Sequence, residues 1–345
     1  MEPSVTTVNT VSGNHFESAT NYPLSRPYYP LPFPRPRTLR RSWLPSVIGL
    51  LLALLILAAV GIVSLYGYIA WVLARPHVEP LQSNPLQAIG LPYENVTFSS
   101  DDKGMKLEGW YIPAAADIAS PNRAIVFSHG YGGNREEIWV PIYELARSAH
   151  EQGFQVLMFD YGYVYHPDRV VTGGARESYD LLGAIEYVRS RGAEEVAVWG
   201  FSMGAGTALQ AALQSDRIDA MILDSTFVLE PDTLYHNLIQ YADLPREPSL
   251  TLLRWLYPLI NGSGMDEVPY EEIKSTAYSI PTFFIHGTLD ERSPYEIIRG
   301  IALQQSSQTL SEHWIVPGAT HELVYRKMQD EYMQRTAAFL TKVFP

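Results

Sequence analysis

From about residue 90 to the end of the chain, short apolar runs alternate with stretches whose apolar positions recur every three or four residues. RAIVFSHG, FQVLMFDYG, EVAVWGFS, DAMILDS, PTFFIHG and EHWIVPG each end in a turn-forming or polar residue, as buried strands do. NVTFSS and KLEGWYIPA, ahead of them, read as an opening hairpin. EEIWVPIYELARSAHEQG, ARESYDLLGAIEYVRSRG, MGAGTALQAALQS, SPYEIIRGIALQQ and HELVYRKMQDEYMQRTAAFLTKVF carry helical periodicity between and after them. Strands alternating with helices predict βαβ units, hence an α/β fold with a mostly parallel, doubly wound sheet covered on both faces. In such sheets function gathers at the carboxyl ends of the strands. The alternation is interrupted after Ser225, and residues of about 226–280 are expected to form a small helical cap.

Upstream the pattern changes character. Trp43 to Ala74 contains no charged side chain and no polar face. A bilayer core needs roughly 20 apolar residues in a helix. At about 1.5 Å per residue, Trp43 and Trp71 would stand roughly 42 Å apart, one aromatic belt at each membrane face. A cleaved signal peptide is a poorer fit, since its apolar region is usually about 7–15 residues and a small-residue cleavage site follows it. Residues 43–75 are therefore expected to be a transmembrane helix, with 76–89 as a linker. Residues 1–42, rich in Pro and Arg, are expected to be a disordered tail. Arg26, Arg35, Arg37, Arg40 and Arg41 precede the apolar run, while Arg75 alone follows it closely. That asymmetry predicts a cytoplasmic N-terminus, a single pass through the cell membrane and an extracytoplasmic C-terminal domain. Asn95-Val-Thr97 and Asn261-Gly-Ser263 match the glycosylation sequon, a short pattern expected by chance in a chain of this length.

Composition changes the picture in two ways. The formal net charge of −12 argues against a nucleic-acid surface. The absence of cysteine excludes a thiol nucleophile, disulfides and a Cys-ligated metal.

The chemistry then falls to AVWGFSMGAG, residues 197–206. Ser202 follows a strand pattern and precedes an alanine-rich helix, the context of a nucleophile elbow. Gly200 and Gly204 are small because side chains there would collide in the sharp turn. A serine hydroxyl needs a base and an orienting acid. Of the nine histidines, His129 and His286 close strands, where shaping the turn is at least as good a reading. His15 lies in the tail, His77 beside the apolar run, His313 inside a strand pattern, His150 in a helix, and His166 and His236 in irregular or cap regions. His321 follows the last strand and opens the last helix. Asp290, in IHGTLDERSP, follows the preceding strand, with Asp224 as the rival acid. The chain order Ser202, Asp290, His321 is that of α/β-hydrolases. The backbone N–H groups of Met203 and of Tyr131, in the glycine-rich HGYGGN, are the expected oxyanion donors.

With these pieces in place, residues 90–345 resemble the α/β-hydrolase superfamily, and within it bacterial membrane-anchored or secreted serine hydrolases, either of the general bacterial α/β-hydrolase group or of the S33 serine aminopeptidase-like group. SHGYGGN, GARESYDLLGAIEYV, GFSMGA, LDSTF, IPTFFIHGTLD and GATHEL carry the resemblance. Two places depart from it. YVYHPDRVVTGG stands where relatives often read R-G-H-G-x-S, and ERSP follows Asp290 where relatives usually carry x-x-V-P. Both lie outside the triad, and both detach substrate preference from that of any relative.

The expected activity is hydrolysis of a carboxylic ester, a lipid or lysolipid ester included, through an acyl-enzyme on Ser202. Peptide or amide hydrolysis and acyl transfer use the same residues, and a catalytically silent membrane scaffold is the alternative from another class. No metal or cofactor is implied. Phe227, Leu234, Tyr235, Trp255, Leu256, Tyr257, Leu259 and Ile260 of the cap would either line an apolar pocket or fill the cap's own core. Oligomeric state leaves no mark on the sequence.

Overall fold

In a computed structural model of the chain, the described residues are Tyr28 and residues 42–115, 122–305, 310–321 and 323–345. The tail expected over residues 1–42 lies outside them, apart from Tyr28 and Ser42. The chain divides into two compact units, Met1–Ala53 and Leu54–Pro345. Helix α1 (Leu44–Leu73) is 30 residues long, and its most apolar window leaves nothing buried.

The second unit is built on an eight-stranded sheet. In chain order the strands are β1 (Glu94–Ser99), β2 (Lys106–Ile112), β3 (Arg123–Ser128), β4 (Gln155–Phe159), β5 (Glu195–Phe201), β6 (Ala220–Asp224), β7 (Thr282–Gly287) and β8 (Glu312–Val316). Their order across the sheet is β1-β2-β4-β3-β5-β6-β7-β8. Among the described strands β2 pairs antiparallel with both β1 and β4, and the remaining pairs are parallel. The helices are α2 (Pro85–Ile89), α3 (Ile142–Glu151), α4 (Glu177–Ser190), α5 (Met203–Gln214), α6 (Pro231–Leu238), α7 (Arg246–Asn261), α8 (Tyr270–Ser275), α9 (Tyr295–Gln305), α10 (Val324–Lys327) and α11 (Gln329–Val343).

Side chains of a strand alternate between the two sheet faces, and the apolar runs fill both. Val196 and Val198 of β5 pack with α4, α5, α8 and α9 on one side. Ala197, Trp199 and Phe201 pack with α3 and α11 on the other. A continuous apolar run without polar alternation is what a doubly covered strand requires.

Two helical patterns are shorter than their periodicity suggests. The helix expected over EEIWVPIYELARSAHEQG begins only at Ile142, after Pro141, whose ring cannot sit within a helix that continues upstream. The last pattern is two helices, broken at Met328 with φ −136° and ψ 49°. The break lets Val324 and Tyr325 reach the core separately from Tyr332, Phe339 and Leu340. His321 lies in the turn before α10 rather than in a helix.

Between β6 and β7 the chain carries α6, α7 and α8. Leu234, Leu238, Leu253 and Tyr257 from this region form a small cluster with Tyr66, Ala70 and Ala74. The carboxyl-terminal turns of α1 are thus part of this packing. The Tyr66 and Ser249 hydroxyls are 2.5 Å apart, the Asn261 amide donates to the Ala70 carbonyl at 2.9 Å, and Arg75 donates to Asn261 Oδ1 at 2.6 Å. The side chain of the Asn261 sequon is therefore engaged. Residues 76–89, expected to be a plain linker, also pack on the domain. The Gln82 N–H donates to Glu136 at 2.5 Å, and the Asn134 amide donates to the Glu79 carbonyl at 2.7 Å.

Candidate active site

Ser202 stands alone between the end of β5 and the start of α5, with φ 48° and ψ −116°. A non-glycine residue held at positive φ is strained, and such strain persists only where the surroundings enforce it. Here the Ser202 N–H donates to the Asp224 carbonyl at 2.9 Å, and its own carbonyl accepts from Phe227 N–H at 3.0 Å. The turn closes because two neighbours lack side chains. A Cβ on Gly204 would fall 2.1 Å from the Ser128 carbonyl oxygen, and one on Gly200 would fall 2.7 Å from Ala205 Cα.

The three side chains drawn from distant parts of the sequence form one hydrogen-bonded line. His321 Nε2 lies 2.8 Å from Ser202 Oγ. Its Nδ1 lies 2.7 Å and 2.9 Å from the two carboxylate oxygens of Asp290. With Nδ1 carrying the proton toward the carboxylate, Nε2 is free to accept from the serine hydroxyl. Asp290 is held in turn by the Arg292 and Ser293 N–H groups, each at 2.8 Å. Burial pulls its carboxyl upward, but the His321 hydrogen bond, the imidazole charges and the backbone donor outweigh burial and leave it below its ordinary value. It stays an anion at neutral pH. The loop bearing Asp290 is tied to the loop bearing His321, since Leu289 N–H donates to the Ala319 carbonyl at 2.9 Å.

Behind Asp290 sits His286, fully buried, with Nε2 3.0 Å from the Ser293 carbonyl and 3.3 Å from Asp290 Oδ2. Burial lowers its affinity for a proton, so it serves as a neutral donor. His129 is also neutral, its pKa brought down by burial to about 4. It accepts from Tyr161 N–H at 3.2 Å, and its Nδ1 lies 2.9 Å from the Gly130 carbonyl. Both histidines shape turns. Asp224, the rival acid, is turned elsewhere: Ser225 Oγ donates to one oxygen at 2.9 Å and Tyr332 donates to the other at 2.8 Å. Burial raises its pKa to about 6.

The glycine-rich loop after β3 faces the elbow. Met203 opens α5, so its N–H has no carbonyl within that helix to bond. The Gly130 N–H is already taken by Glu137 Oε2 at 2.7 Å. Glu137 escaped the sequence reading, because no motif marks it. It is 1% exposed and holds a positive φ of 34°. Burial raises its pKa, against the lowering effects of the Gly130 and Trp139 N–H groups and the charge of His321. Tyr131 projects outward from the same loop, and its hydroxyl donates to the Leu73 carbonyl at 3.1 Å. Of the cap residues singled out, Leu234 and Tyr257 are buried in the cluster with α1, while Trp255, Leu259 and Ile260 are exposed.

A doubly wound sheet with a strained serine after its fifth strand, faced by a histidine and a carboxylate from later strand ends, defines the α/β-hydrolase fold. Over part of its length the chain resembles α/β hydrolases. The family described as α/β hydrolase fold matches residues 123–248. Over 139 residues the chain is 29% identical to the quorum-quenching protein AidA of Acinetobacter baumannii strain MDR-ZJ06, which covers 39% of this chain and 43% of AidA. The match thus spans less than half of that relative. The esterase Pf2001 of Pyrococcus furiosus superimposes with a TM-score of 0.61 at 21% identity, over 78% of this chain and 99% of the esterase. Est1E of Butyrivibrio proteoclasticus does so with a TM-score of 0.53 at 19% identity, over 71% and 97%. At these identities the likeness is one of fold.

Proposed function

We propose that this chain is a membrane-anchored serine hydrolase acting on carboxylic esters through an acyl-enzyme on Ser202. The observation that carries the reading is the unbroken hydrogen-bonded line from Ser202 Oγ through His321 to ionised Asp290. His321 Nε2 takes the serine proton as Oγ bonds to the ester carbonyl carbon. The tetrahedral oxyanion is received by the N–H groups of Tyr131 and Met203. His321 then passes the proton to the departing alkoxide, leaving the acyl group on Ser202. Water repeats the cycle, with His321 as its base, and frees the carboxylic acid. Asp290 keeps the imidazole in the productive tautomer and stabilises its charged form.

In this proposal α1 spans the membrane, with the N-terminus cytoplasmic and the catalytic unit outside. An apolar helix of 30 residues supports the span, and the arginines before it support the orientation. The site then lies close to lipid, which favours a lipid or lysolipid ester.

The test uses the full chain in detergent or liposomes. Wild type is expected to react with a fluorophosphonate probe, and Ser202→Ala is expected not to. Wild type that fails to label points to a silent scaffold. A series of p-nitrophenyl esters of graded chain length, run beside aminoacyl anilides, then separates esterase from peptidase. Ester turnover without anilide turnover is the expected result.

A further inference from the structure

Helix α7 carries two apolar faces where a cap helix needs one. Its inward face, Ser249, Leu253 and Tyr257, is buried. At about 100° per residue, Trp255, Leu259 and Ile260 carry apolar surface outward along its flank as a second stripe, beside Leu252 and Leu256, which are half-buried against the inward cluster. Trp255 is 69% exposed and Leu259 is 81% exposed. Arg254, paired with Asp266 at 2.9 Å, lies on the opposite flank, so the stripe itself is free of charge.

The stripe adjoins α1. Ile260 packs against Gly67, its Cδ1 3.3 Å from where a Cβ would stand. Trp71 lies one turn further along α1, stacked on Tyr68 with ring centroids 6.4 Å apart and covered by the Arg75 guanidinium at 5.4 Å. An aromatic pair beside an arginine marks the level of the lipid headgroups. Gly67 lies about 6 Å deeper than Trp71 along the helix axis. Ile260 therefore meets α1 on the hydrocarbon side of that belt. The exposed apolar surface of α7 continues that of α1, where Leu65 and Val72 are likewise exposed.

We propose that the Trp255–Ile260 face of α7 lies in the bilayer interface, so that the cap rests on the membrane as a second contact beside the α1 span. This rests on the reading of α1 as a span. It adds an in-plane amphipathic helix, with an aromatic at the headgroup level and leucine and isoleucine below it. The cap is then pinned at the lipid surface and cannot swing freely on its tether.

Because the chain contains no cysteine, single nitroxide labels can be placed without background. Leu259→Cys and, separately, Leu57→Cys in α1 are labelled and reconstituted in liposomes. Collision rates are measured with lipid-soluble oxygen and with a water-soluble nickel chelate. Oxygen is expected to dominate at both sites. Nickel dominating at residue 259 with oxygen dominating at residue 57 overturns the proposal and leaves the anchor standing. Nickel dominating at both sites removes the anchor and this proposal together. A label at 259 shielded from both reagents, with spin coupling between labelled chains, shows a second copy on the stripe and also overturns it.

Discussion

The hydroxyl of Tyr131 donates to the carbonyl of Leu73 at 3.1 Å, linking the loop assigned to the oxyanion with the last turn of α1. The side chain is half-exposed, but the bond ties down the residue whose backbone N–H is proposed to receive the oxyanion. Tyr131→Phe keeps that N–H and removes the tether. A single hydrogen bond contributes about 1 kcal/mol, so kcat is expected to fall about fivefold with KM little changed. Steady-state kinetics on a soluble ester check this, and an unaltered kcat shows that the tether does not position the loop.

Asp290 and Asp224 both lie near the elbow, but only Asp290 reaches His321. Asp290→Asn is expected to lower kcat by about a thousandfold or more, through the wrong imidazole tautomer. Asp224→Asn is expected to leave kcat within about threefold of wild type and to act on stability instead. The reverse ranking would assign the acid to Asp224.

The same two carboxyls oppose one another in pH dependence. Asp290 titrates below its ordinary value, so the stability it lends is present above the ordinary carboxylate range and lost as the pH falls through its lowered value. Burial raises Asp224 from 3.8 to about 6. Its folded form holds the proton more tightly than the unfolded chain, so its contribution is greatest below the unfolded value and declines as the pH rises toward the folded one. The Tm of Asp224→Asn relative to wild type is expected to shift about 5 °C in the variant's favour between about pH 4 and about pH 7. A flat difference in calorimetry over that interval contradicts the assignment.

Gly204→Ala places a methyl group 2.1 Å from the Ser128 carbonyl oxygen, a backbone atom that cannot yield easily. A loss of about 2 kcal/mol or more is expected, with activity lost in step, since the displaced backbone carries both β3 and the elbow. Urea denaturation measures it, and a variant as stable as wild type refutes the close packing.

Glu137 anchors the Gly130 N–H, and burial keeps its carboxyl protonated to higher pH than usual. Glu137→Gln resembles the protonated side chain and can still accept that hydrogen bond. It is expected to retain activity within about threefold at neutral pH. Glu137→Ala leaves the buried N–H unpaired at a cost of about 1–3 kcal/mol and should lose both stability and kcat. Equal kinetics for the two variants would show that the carboxyl does not hold the loop.

What the sequence discloses and what it conceals divide along physical lines. The strands are legible because a doubly covered β-strand needs an unbroken apolar run, as EVAVWGF and PTFFIHG supply. Ser202, Asp290 and His321 are legible because each follows such a run. Glu137 is not, since a buried acid and a solvated one look alike until its carboxylate is seen on the Gly130 N–H. The helix break at Met328 is hidden for a related reason: the periodicity of Tyr325 and Tyr332 is compatible with one helix, and only the depth of the core decides. The packing of α1 on α7 depends on pairs such as Tyr66 and Ser249, 183 positions apart, which no local pattern records.

That packing bears on how a shorter, water-soluble version of this protein should be cut. Removing everything before residue 76 would strip partners from Tyr131, from the Val171 N–H that donates to Ala74, and from the Asn261 amide. It would also bare the greasy flank around Leu234, Leu253 and Tyr257. A cut placed upstream of Tyr66 keeps the last turns of the helix as a prosthetic wedge, and a few polar replacements on its outer side would suit a secreted product better than wholesale deletion.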